Sequence, residues 1–151
     1  MITVLFGTES GNSEMAADDI AQFLGENGEE AKVVPMEECD VDKLSASGLV
    51  VVITSTYGEG ELPETTQPFY DALHASKPNL ATLKFGAFGL GDSTYETYGN
   101  GIDLVASLLS ELGAHQIGET GRHDAAKGVS LSQSALNWAD QFLASINRRA
   151  A

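Results

Sequence analysis

Apolar, β-branched runs and amphipathic helical patterns take turns along the whole of this chain. Strand patterns fall at residues 2–6, 30–34, 49–54, 84–90 and 114–118. Helical patterns fall at 12–26, 65–76, 100–112 and 132–147, with a short one near 40–46. Such alternation leaves few topologies, all of them a parallel sheet covered by helices on both faces. Gly28, Gly48 and Gly113 punctuate helix ends and strand entries. The helix after Ser13 should present Met15, Ile20, Phe23 and Leu24 as its apolar side. Leu131, Ala135, Trp138, Ala139, Phe142, Leu143 and Ile146 recur at helical spacing in the last helix, which reads Trp138 as core. A chain of 151 residues without repeats or linkers predicts one domain, 1–151. About a dozen residues separate the fifth strand from the last helix, which leaves no room for a long insertion there.

Three loops follow three of the strands, and their composition is unusual. The first, Gly7-Thr8-Glu9-Ser10-Gly11-Asn12-Ser13, joins Ile2–Phe6 to the first helix. The opening N–H groups of a helix lack intrahelical partners, and the dipole places partial positive charge there. Thr8, Ser10, Asn12 and Ser13 add side-chain donors, and Gly11 allows close backbone approach. No Lys or Arg occurs before Lys32, so the loop is not a nucleoside-triphosphate loop, which needs a Lys. Its glycine spacing also fails the dinucleotide pattern G-x-G-x-x-G. The loop suits one phosphate held by neutral donors. The same residues are common helix caps, so the loop alone leaves both readings open.

The second loop is Ser55-Thr56-Tyr57-Gly58-Glu59-Gly60-Glu61-Leu62-Pro63. The third, Gly91-Asp92-Ser93-Thr94-Tyr95-Glu96-Thr97-Tyr98-Gly99, follows Leu90. Ligands of open parallel sheets bind beyond the carboxyl ends of the strands, where these loops would converge. A phosphate cradle beside two tyrosines fits a flat aromatic ring joined to one phosphate.

These motifs give the chain a resemblance to the flavodoxins of the short type. Thr-Glu-Ser-Gly-Asn-Ser, Ser-Thr-Tyr-Gly-Glu-Gly-Glu and Gly-Leu-Gly-Asp-Ser-Thr-Tyr resemble the FMN domains of diflavin reductases. Pro68–Leu73, Lys77-Pro78 and Phe85-Gly86-Ala87 also resemble the stand-alone MioC-type flavodoxins. The likeness runs from Ile2 to about the last helix. It implies an α/β, flavodoxin-like, doubly wound five-stranded parallel sheet of order 2-1-3-4-5 in three layers. It also implies bound FMN at the switch point between the first and third strands. Gly99 departs from relatives that carry Cys there. Arg122-His123-Asp124-Ala125-Ala126 departs from the acidic cluster of the diflavin domains.

The candidate cofactor-binding residues follow from the loops and the resemblance. They are Thr8, Glu9, Ser10, Gly11, Asn12 and Ser13 around the phosphate. Glu9 should turn its carboxylate to solvent and offer only its backbone N–H. Ser55, Thr56, Tyr57, Gly58, Glu59 and Gly60 form the second group, and Leu90, Gly91, Asp92, Tyr95, Tyr98 and Gly99 the third. Asp124 joins them by position. The resemblance makes Tyr95 the coplanar stacking partner and Tyr57 the cover of the inner face, where offset stacking contributes about 0.5–1.5 kcal/mol beyond burial. A turnable Gly58–Glu59 peptide would offer its carbonyl to the protonated flavin N5 and so favour the semiquinone. Glu59, Glu61, Glu64, Asp92, Glu96 and Asp124 would oppose negative charge on the fully reduced ring. No catalytic or metal-ligating set is expected, and His74, His115 and His123 lack ligand spacing.

The formal net charge of −14 argues against nucleic acid and anionic membranes and favours partners with a basic docking face. Glu59, Glu61, Glu64 and Glu96 are the docking candidates. Cys39 is the sole cysteine, so no intrachain disulfide forms, and the chain suits a reducing cytoplasm. No run is long and apolar enough to span a membrane, and no signal-peptide pattern opens the chain. The resemblance implies a monomeric electron carrier rather than an enzyme. It would take electrons from a NAD(P)H-dependent flavoprotein reductase and pass them to a cytochrome P450 or a biosynthetic enzyme. The alternative is an FMN-dependent quinone or nitro-compound reductase, which would need a nicotinamide path to the ring. A receiver-like phosphate module is remote, because Phe6-Gly7-Thr8 and Thr54-Ser55-Thr56 lack the clustered Asp residues it requires.

Overall fold

The computed structural model describes residues 2–7, 11–55, 62–91 and 100–150, with the side chains of 148–150 set aside. The strands are β1 (Ile2–Gly7), β2 (Ala31–Pro35), β3 (Leu49–Ser55), β4 (Lys84–Gly91), β5 (His115–Gln116) and β6 (Gly121–Asp124). The helices are α1 (Asn12–Glu26), α2 (Gln67–Ser76), α3 (Asn100–Glu111) and α4 (Leu131–Ala150). Short 3-10 turns cover Met36–Glu38, Val41–Ser47 and Ala125–Lys127. The helix expected near 40–46 is the second of these turns. Asp40 starts it by accepting a hydrogen bond from the Asp42 amide at 3.1 Å.

All strand pairs are parallel, in the order β2-β1-β3-β4-β5, with β6 also pairing β4. The expected order 2-1-3-4-5 therefore holds. The fifth position differs from the single strand expected at 114–118. His115 and Gln116 pair with Lys84 and Phe85, and then Gly121–Asp124 pair with Phe88–Gly91. Between the two pieces Ile117 turns into the core at 2% exposure, and Gly118 takes φ +71°. The chain leaves the ladder there and rejoins it at Gly121.

Strand side chains alternate between the faces, and this alternation divides the core in two. Leu5, Val50, Val52, Phe85 and Ala87 pack with Phe69 and Leu73 of α2 and Ile102, Val105 and Leu109 of α3. Val4, Phe6, Val51, Ile53, Phe88 and Leu90 pack with α1 and α4. Burial on both faces makes central strands read as continuous apolar runs. Two glycines keep the helices close. A Cβ on Gly86 would collide with the Phe142 ring of α4, and one on Gly89 with Ile102 of α3.

α1 buries Ser13, Ala16, Ala17, Ile20 and Leu24. Ile20 and Leu24 face inward as expected and Phe23 is half-buried, but Met15 is 57% exposed. The helix lies close to the sheet through its two alanines. Met15, five positions before Ile20, is about 140° round the helix from it. Trp138 is core, as expected. It stacks on Phe142 at 4.8 Å between ring centres, and its Nε1 donates to the Glu119 carbonyl at 3.0 Å.

Candidate functional site

Four strand ends meet along the carboxyl edge of the sheet. Gly7 of β1 lies opposite Thr54 of β3, Ser55 opposite Leu90 of β4, and Gly91 opposite Asp124 of β6. The loops expected to build the site thus leave the sheet from adjacent points. α1 begins at the same edge.

The start of α1 has the features of an anion cradle. Gly11 stands at its N-cap in the left-handed region, with φ 88° and ψ −7°. Its carbonyl accepts from the Met15 amide at 3.2 Å. A Cβ there would meet nothing within 4 Å among the described residues. Among the described residues no side chain caps the helix. Ser13, in the first turn, is fully buried, and its Oγ has no hydrogen-bond partner among the described residues. A buried hydroxyl left unsatisfied costs about 1–3 kcal/mol, so native structures seldom keep one without a use. Its position in the first turn of α1 fits the phosphate of FMN, which would offer an acceptor to the Ser13 hydroxyl.

The other described candidates separate by what their side chains do. Asn12 is exposed at the first position of α1, and Ser55 is partly exposed at the end of β3. Leu90 is committed to the core shared by α1 and α4, so only its backbone can face a ligand. Gly91 ends β4 at the rim. Asp124 is 8% exposed, and its Oδ1 accepts from the Ala126 amide at 3.0 Å, capping the turn Ala125–Lys127. Thr8, Glu9, Ser10, Thr56, Tyr57, Gly58, Glu59, Gly60, Asp92, Tyr95, Tyr98 and Gly99 lie outside the described residues.

Neighbouring groups brace this rim. Arg122 forms an exposed ion pair with Asp103 of α3, N to O 2.6 Å. The His123 Nδ1 is 2.9 Å from the Ser134 hydroxyl of α4. Away from this rim, in the last turn of α2, His74 lies edge-on to Tyr70 at 4.9 Å. Among the described residues no metal-binding group occurs, with or without the three histidines.

Sequence reasoning missed Thr54 and Thr66. Both are fully buried, and their Oγ1 atoms are 2.8 Å apart. Thr54 counts in sequence as one more β-branched strand residue. Thr66 is one of several hydroxyl residues ahead of a helix. Nothing in either local pattern announces a pair twelve positions apart.

Comparison with known proteins agrees with the geometry. The family model for flavodoxin matches residues 4–138. Protein MioC of Escherichia coli O157:H7 is 39% identical over 121 residues, covering 79% of this chain and 80% of that one. The human NADPH–cytochrome P450 reductase is 33% identical over 146 residues, covering 93% of this chain and 21% of that protein. Among solved structures, a cysteine-to-serine mutant of flavodoxin from Pseudomonas aeruginosa superposes with a TM-score of 0.86. It is 34% identical, over 97% of this chain and 98% of that one. With its sheet order and these likenesses, the chain belongs to the flavodoxin family.

Proposed function

We propose that the chain is an FMN-dependent electron carrier with no substrate of its own. Family membership makes FMN the cofactor. The observation that carries the reading is Ser13, a buried hydroxyl lacking a partner among the described residues, beside the left-handed Gly11 turn. Those donors would hold the phosphate with neutral groups and backbone amides. The ring would then lie along the rim formed by Ser55, Leu90 and Gly91, with Tyr57 and Tyr95 on its faces. Bound FMN supplies the redox chemistry, and the protein binds it, orients it and sets its surroundings.

The donor in this reading is a NAD(P)H-dependent flavoprotein reductase. The acceptor is a redox enzyme with a basic docking face, such as a cytochrome P450 or a biosynthetic enzyme, and the setting is the cytoplasm. A net charge of −14 supports such partners, because opposite charge speeds encounter. Glu14, Asp18 and Glu64 are exposed, the first two on α1 and the third ahead of α2. Glu64 is one of the docking candidates, with Glu59, Glu61 and Glu96, and Glu14 and Asp18 would add to that acidic surface. Among the described residues no helix is long and apolar enough to cross a membrane.

The test is stepwise anaerobic reduction of the FMN-loaded protein followed by absorption, with NADPH oxidation assayed in parallel. Two resolved one-electron steps, and NADPH oxidation only when a reductase is added, are expected. A single two-electron step with direct NADPH oxidation would instead identify a quinone or nitro-compound reductase. Failure to bind FMN would remove the site assignment altogether.

A further inference from the structure

The buried hydroxyls of Thr54 and Thr66 join the two ends of one loop. Thr54 is the penultimate residue of β3, and Thr66 immediately precedes α2. Between them run residues 55–65, including Tyr57 and Gly58. Thr54 Oγ1 also lies 3.2 Å from the Ser55 carbonyl. Either hydroxyl can supply the proton of the 2.8 Å contact.

The backbone around Thr66 is held as well. Its amide, and that of Gln67, donate to the Pro63 carbonyl at 2.9 Å, and its carbonyl accepts from Tyr70 at 3.0 Å. The third partner is Gly7, the last residue of β1. A Cβ on Gly7 would collide with Thr66 Oγ1 and stand 2.8 Å from Thr66 Cβ. Only a glycine leaves room for Thr66 to cross the ends of β1 and β3. Gly7 is also where the chain turns off toward Gly11 and Ser13. The starts of the phosphate turn and of the second loop, and that loop's far end, therefore meet at one buried point.

We propose that Thr54 and Thr66 are positioning residues for the flavin-covering loop. Their hydrogen bond fixes the loop's two ends against β1, from which the loop would carry Tyr57 and Gly58 to the ring. The inference rests on the FMN-carrier reading above. Distance explains why hydroxyls serve here and methyl groups would not. Two oxygens sharing a proton sit 2.8 Å apart, whereas apolar contacts settle at about 3.5–4.0 Å. An apolar substitute would displace the loop end by about an ångström, enough to misplace groups around a reacting centre.

The test compares Thr66→Val and Thr66→Ser with the unaltered chain. FMN and riboflavin affinities, the first midpoint potential of bound FMN, and thermal unfolding of the apoprotein are measured. Thr66→Val should weaken FMN and riboflavin alike, each by about tenfold, or about 1.4 kcal/mol. The equal loss arises because the loop serves the ring and not the phosphate. The potential should shift with it, and Thr66→Ser should restore all three values. If Thr66→Val does not fold, Thr66→Ala, which relieves the crowding at Gly7, takes its place with the same expectation. Lower apoprotein stability with unchanged affinities and potential would overturn the proposal and leave the pair purely structural. An unaltered chain that fails to bind FMN would overturn the carrier reading, and this one with it.

Discussion

Replacing Ser13 with Ala should move apoprotein stability and cofactor affinity in opposite directions. The hydroxyl is fully buried without a partner among the described residues, so the apoprotein bears its desolvation cost. Removing it should stabilise the apoprotein by up to about 1 kcal/mol, the low end of the penalty for an unsatisfied buried group. A hydrogen bond to a charged oxygen contributes about 1.5–3 kcal/mol, so FMN should bind about 10- to 150-fold more weakly. The two effects separate in a urea titration run at several FMN concentrations. At about 100 times the original Kd, FMN stabilises the unaltered protein by about 2.7 kcal/mol. With Kd raised tenfold, the same concentration gives about 1.4 kcal/mol. The variant should therefore be more stable than the original without FMN, and gain about half as much or less when FMN is added. A less stable apoprotein with unchanged FMN affinity would refute the reasoning. It would mean that the hydroxyl serves the fold and not the ligand.

Two further outcomes follow from the packing. A Cβ on Gly121 would stand 2.5 Å from Trp138 Cγ and 2.6 Å from Phe88 Cδ2, and Trp138 is held by its stack on Phe142 and its bond to Glu119. Gly121→Ala should cost about 1–3 kcal/mol in urea denaturation and shift the emission of Trp138, and a neutral effect would show the ring to be free to move. Burial pushes the Cys39 thiol up from 9.0 to about 11, with the Asp40 carboxylate adding to the effect. The folded state disfavours the thiolate, so this contribution is fully present below pH 9 and is lost as pH rises to about 11. Cys39→Ser should flatten that part of the stability profile, and Cys39 in the folded protein should react slowly with a disulfide reagent at about pH 8, below its raised pKa.

The central fold was legible because its strands are buried on both faces. Val50–Ile53 and Phe85–Phe88 have no solvent side, so they appear as apolar runs that local reading can find. The sheet's fifth position was harder for the opposite reason. Arg122 is exposed and His123 half-buried, so β6 carries no apolar run, and its pairing with β4 is a tertiary fact. Met15 misleads because a bulky apolar side chain suggests burial, while Ala16 and Ala17 make the close contact. Ser13 stands out through its residue type at a helix start. Asp124 falls at the expected rim, but its role as the cap of the following turn depends on a conformation that composition does not encode. Thr54 and Thr66 depend on a contact that only the folded chain creates.

The broken fifth strand also governs how this molecule meets copies of itself. An open sheet exposes two rows of unpaired backbone groups, each able to template another chain. On one side the row is cut into pieces of two and four residues, separated by the excursion at Ile117 and Gly118. On the other, β2 spans five residues, with Lys32 exposed near its start and Pro35, which has no N–H to offer, at its end. Neither border gives an incoming strand a long, uninterrupted ladder. A protein built this way can be crowded without zipping edge to edge.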